Sequence, residues 1–94
     1  MVDTADPDAA AVTVAATAVS AKRSVLVQVD SHGYVSGVRL LNDAARHWDS
    51  TAIDHRVRAV AAVAHDRYLA NLGTGEGFYP ALETVAANER GLEF

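Results

Sequence analysis

The feature that most constrains this chain is a change of period between Ser24 and Leu72. Ser24-Val-Leu-Val-Gln-Val-Asp30 and Tyr34-Val-Ser-Gly-Val-Arg-Leu-Leu41 carry strand-like apolar patterning, which places side chains on two faces. Asp30-Ser-His-Gly33 lies between them and is turn chemistry, with Gly33 free to take positive φ. From about Ser50 the spacing becomes helical: Ile53, Val57, Val60, Ala64 and Tyr68 fall in one stripe, which Ala61 widens. The unit therefore reads strand, turn, strand, helix.

Alternation puts Val25, Val27 and Val29 on one face of the first strand, with Leu26 and Gln28 opposite. In the second strand it puts Val38 and Leu40 on one face and Val35, Gly37, Arg39 and Leu41 on the other. Gly37 inside a strand signals a bulge or a close backbone approach. Asp49, Ser50 and Thr51 are three candidate helix N-caps, and Thr51 with Asp54 resembles a capping box. Gly73 marks the helix stop. Ala44 to Trp48 is a loop or a short helical turn. Upstream, Val12 to Val19 suits a strand by its period-two Val and Thr, or a helix start by its Ala content; we read a strand. Downstream, Pro80 opens a short helix from Ala81 to about Arg90, anchored by Phe78, Leu82 and Val85.

The expected fold is α+β: a small antiparallel sheet of about three strands, one main amphipathic helix, and a short C-terminal helix. Residues 1–10 read as a disordered acidic N-terminus, 11–73 as the folded domain, and 74–94 as a Gly-rich hinge with a helical tail. One helix covers one sheet face, so the other face and an edge strand stay open. The 94 residues are half hydrophobic, mostly Ala and Val, and such a core is small. A homodimer is the expected remedy, with Val25, Val27, Val29, Val38, Leu40 and Trp48 as candidate interface residues. Trp48 also reads as a staple against the helix start.

Charge is uneven. Residues 22–72 hold seven of the eight basic residues but five of the twelve acids. Lys22, Arg23, Arg46, Arg56 and Arg67 are therefore the candidate phosphate or DNA contacts, with Arg56 and Arg67 on one edge of the helix stripe. The acidic ends read as solvated.

No catalytic set is apparent. His32, His47, His55 and His65 lack zinc spacing; His55 and His65 lie about 80° apart around a helix. Asp54-His55 and His65-Asp66 diverge as sequence neighbours. Gly73-Thr-Gly-Glu-Gly77 follows a helix and lacks the Lys of a phosphate loop. There is no cysteine, so thiol chemistry is absent. We expect no enzyme activity, no cofactor and no metal. No signal peptide and no membrane-length apolar run is visible, so the expected location is cytoplasmic.

Residues 12–72 resemble the YbaB/EbfC family, whose hairpin runs roughly Val-x-Val-x-Val-x-x-x-Gly-x-Val-x-x-Val-x-Ile before a helix. They are similar also to mycobacterial type VII (ESX) secretion-associated Esp proteins that carry a YbaB-like domain. There the aromatic-then-Ser feature is matched by Trp48-Asp49-Ser50. The resemblance implies a YbaB-like dimer, a protein partner, and an accessory, chaperone-like role beside type VII secretion. The alternative it implies is nucleoid-type DNA binding. YbaB proteins carry a long N-terminal helix, whereas here about ten residues precede the first strand, and their only charged side chains are the acids Asp3, Asp6 and Asp8.

Overall fold

A computed structural model describes residues 13–73 and 79–94. The order is β1 (Val14–Val19), β2 (Val25–Asp30), β3 (Val35–Leu40), α1 (Asp43–Arg46), α2 (Ser50–Leu72) and α3 (Leu82–Arg90). The strands form one antiparallel sheet in the order β1-β2-β3. This is the expected α+β arrangement, with α1 as the helical turn before Trp48. The expectations for residues 1–10, for a strand start at Val12, for the hinge glycines at 75 and 77 and for Phe78 lie outside the described residues.

Register follows the apolar pattern. Val27 sits opposite Ala18 on β1 and Val38 on β3, and Val25 sits opposite Leu40. Ala16, Ala18, Val25, Val27 and Val29 thus share one face and pack against Val60, Val63, Ala64 and Ala70 of α2. Ala on β1 lets the helix lie close to the sheet. Val25, Val27 and Val29 are fully buried within the chain. They are core residues and present no surface to a partner, which corrects their reading as interface candidates.

One bulge changes a face. Gln28 pairs with Gly37 while Val29 pairs with Val35, so Ser36 is the extra residue. Val35 therefore joins Val38 and Leu40 on the α2 side, where strict alternation places it with Gly37. At Gly37 an added Cβ would meet Gln28 Oε1 at 2.7 Å, because the Gln28 side chain lies across that position.

The turns are built by side chains. Asp30 Oδ1 accepts from the His32 and Tyr34 N–H groups at 2.8 and 3.1 Å. Those bonds, Tyr34's first, hold its carboxyl below the usual value. Gly33 takes φ +89, and Tyr68 of α2 lies against it. Between β1 and β2, buried Ser20 Oγ accepts from the Ser24 and Val25 N–H groups, both at 3.1 Å. Arg23 closes that turn at φ 57.

Asp49 caps α2, accepting from the Ala52 N–H at 2.8 Å. The Thr51–Asp54 box does not form; Asp54 instead pairs with Arg58 at 3.0 Å. Gly73 ends the helix at φ −71, in extended geometry, so its smallness serves Tyr79, whose Cβ would lie 2.8 Å from an added Cβ. α3 packs on α2 through Val85, which is 1% exposed. Leu82, expected as a second anchor, is 57% exposed because it opens the first turn on the outer side. Beyond α3 the tail folds back: the N–H groups of Ala21 and Lys22 donate to Leu92 O and Phe94 O at 2.7 and 3.1 Å.

Candidate interaction surface

The two edges of the sheet are treated differently. An edge strand exposes a row of unpaired N–H and C=O groups that another chain can pair with. On β1 those groups are occupied from α2 and α3. The Val19 N–H donates to Glu89 Oε2 at 2.9 Å, Arg67 Nη1 donates to Thr17 O at 2.7 Å, and Asn71 Nδ2 reaches Ala15 O at 3.5 Å. Arg67 and Glu89 are joined by two bonds of 3.0 Å, a forked pairing suited to guanidinium and carboxylate. Both side chains are about three-quarters buried, at 23% and 25% exposed. The Arg67 guanidinium, followed by the Val19 N–H, holds the Glu89 carboxyl below its ordinary range, and Glu89 raises Arg67 in turn.

On β3 nothing comparable is found among the described residues. The Leu41 N–H donates inward to Ser24 O at 2.8 Å. In an antiparallel strand the backbone groups of successive residues point to opposite sides. Arg39 and Gly37 therefore address β2, while Val38 and Leu40 direct their N–H and C=O groups away from the sheet. α2 lies over β1 and β2 and scarcely reaches β3. Val35 is left 53% exposed and Val38 45%, on the face that is core elsewhere. Tyr34 at 73% and Leu41 at 38% are exposed at the two ends of β3, where alternation places them on the opposite face. Val57, Ala61, Ala64 and Tyr68 form the neighbouring stripe of α2, and Tyr68 OH donates to Ser31 O in the β2–β3 turn at 3.2 Å. That contact ties the stripe to the β2–β3 turn. An open strand edge beside a half-covered apolar strip is the most distinctive surface of the described residues.

Of the five cations proposed for phosphate, Lys22 and Arg56 meet at one pocket and the other three do not join them. Arg67 is spent on Glu89 and Thr17. Arg46 pairs with Asp43 at 3.0 Å in the open. Arg23 is exposed on the β1–β2 turn. Arg56 lies over Trp48, 4.3 Å from the ring centroid, and 5.3 Å from the Phe94 centroid. Lys22 joins Arg56 at one open pocket of about 280 Å³, lined also by Trp48, Glu93 and Phe94. Arg56 and Arg67 do share one helix edge, but each is held by a different neighbour. Trp48 is partly buried against the core, with its ring edge-on to Phe94 of the C-terminal tail at 6.2 Å.

His32, His47, His55 and His65 are all exposed. Among the described residues no three His, Asp or Glu side chains are close enough to hold a metal ion, and no histidine–carboxylate hydrogen bond is found. No described helix is long and apolar enough to cross a membrane.

Glu89 is the functional-looking residue that sequence reading missed. It sits among acids that read as solvated, and its partner is 22 positions away, a separation no periodicity reports. Phe94 and Ser20 were missed for the same reason: each acts through a contact set by the fold. The bulge at Ser36, signalled by the neighbouring Gly37, is what moved Val35 into the exposed strip. No family model, no curated protein and no solved structure matches this chain.

Proposed function

We propose that this chain is a non-enzymatic, dimeric interaction module whose working surface is the β3 edge. The observation that carries the reading is the inequality of the two edges. β1 is sealed by Arg67, Glu89 and Asn71, while β3 keeps outward backbone groups beside the exposed Val35 and Val38. An open edge strand is a ready template for pairing with another chain, and a covered one is not. A small Ala- and Val-rich core gains further from a second surface.

The resemblance of residues 12–72 to YbaB-like Esp proteins supplies the pointer to a biological setting: an accessory, chaperone-like role beside type VII secretion. Light scattering over a dilution series tests the dimer; a mass of one chain at every concentration rules it out. Affinity capture with a secretion-associated client under low-salt conditions tests the setting, and absence of the client among bound proteins rules that out. DNA binding is the competing reading. Its support is weakened by the cations already engaged, Arg67 foremost. A mobility shift at low salt that is lost in Arg56→Ala with Lys22→Ala would restore it.

A further inference from the structure

We infer that two copies of the chain join by antiparallel pairing of β3 with β3 across a two-fold axis at Val38, giving one continuous six-stranded sheet. The inference rests on the dimeric reading above and adds the joining element and its register.

Three observations select this geometry. First, the outward backbone groups of β3 belong to Val38 and Leu40, as the inward Leu41–Ser24 bond requires. A two-fold axis at Val38 lets the two Val38 residues exchange both N–H···O bonds, with Leu40 of each copy facing Ser36 of the other. Second, the charge on the strand disfavours the neighbouring register. An axis at Arg39 would set two guanidinium groups directly opposite, about 4.5 Å apart at the Cα atoms, and like charges so placed repel. With the axis at Val38, Arg39 faces Gly37 of the other copy, which has no side chain to obstruct it. Third, the bulged residue Ser36 disfavours an axis at Gly37, which would put both bulges in the central pairs. At Val38 the bulges fall at the two ends of the pairing.

The same arrangement explains the half-covered strip. A two-fold axis through the sheet keeps both α2 helices on one face. Val35, Val38 and Leu40 of each copy then lie side by side between those helices, and the strip that one α2 leaves open becomes the floor of a shared surface. The opposite edge takes no part, since Arg67 and Glu89 occupy it.

The chain has no cysteine, so single cysteines can be introduced cleanly. Val38→Cys places two thiols at the axis; Ala62→Cys, exposed on the far side of α2, places them well apart. Under copper–phenanthroline oxidation, Val38→Cys is expected to give a covalent dimer at low micromolar protein, and Ala62→Cys is not. Val38→Lys sets two ammonium groups at the axis and is expected to halve the mass in light scattering. Its far-UV circular dichroism should be unchanged, because Val38 is only half-covered within one chain. A wild-type dimer that persists in Val38→Lys, with no cross-link from Val38→Cys, overturns this mode while leaving the dimer intact. A wild-type protein that is monomeric throughout overturns the dimeric reading itself.

Discussion

The Arg67 guanidinium binds both Glu89 oxygens and the Thr17 carbonyl at once. Arg67→Ala leaves a three-quarters-buried carboxylate and a strand carbonyl without that partner, and we expect a loss of about 2 kcal/mol in urea unfolding. Because Glu89 is held below its ordinary value of 4.5, its contribution is complete above that value and fades as pH falls through the lower folded value. The stability gap between wild type and Glu89→Gln should therefore narrow on acidification below about pH 4.5. The glycines give a second contrast. Gly33→Ala must hold φ +89 and meets the Tyr68 ring at 3.0 Å, so we expect a cost of roughly 2 kcal/mol. Gly37→Ala has an ordinary backbone and meets a movable Gln28 terminus, so its cost should stay below about 1 kcal/mol. Thermal or urea melts of the two variants side by side check the order. Gly33 was legible as a turn glycine from its neighbours. Glu89 was not, because charge counting assigns an acid in an acidic tail to solvent, and only the docking of α3 brings it to Arg67.

α3 acts as the cover of the β1 edge. Its hold depends on Val85, buried against the core, and on Glu89, one turn further along the same side. Val85→Asp buries a charge without a partner and should undock the helix. Amide exchange reads the result: the Val19 N–H, bonded to Glu89 Oε2, should lose protection while Val27, central in the sheet, keeps it. Equal protection at Val19 in wild type and variant would show that α3 does not guard this edge. At this scale the sequence was informative about β2, whose alternation is uninterrupted, and about α2, whose core residues recur at helical spacing. It was weaker where the signal depends on one residue. Ser36 bulges and carries Val35 to the other face, and the Gly37 beside it announced a departure without its direction. The three valines of β2 read as interface because patterning tells which residues share a face. It does not tell which face the helix takes.

At the scale of the whole molecule, the sheet has one face packed by helices and, among the described residues, one edge sealed and one edge open. In the proposed pairing a second copy matches the open edge by symmetry, and the register at Val38 sets Arg39 opposite Gly37 of the other copy. The sequence already implied that a core this small wants more surface. What it could not supply was the location, since α2 lies over β1 and β2 and leaves β3 aside only once the three strands are assembled. Charge bookkeeping led toward phosphate, yet the fold brings only Lys22 and Arg56 of the five together and engages Arg46 and Arg67 with local carboxylates. The central claim is that β3 is paired in solution, and amide hydrogen exchange at Val38 measures this directly. The account predicts slow exchange of the Val38 N–H at high protein concentration, approaching that of Val27, and faster exchange on dilution as the copies separate. Rapid exchange of Val38 at every concentration, with Val27 still protected, would contradict it.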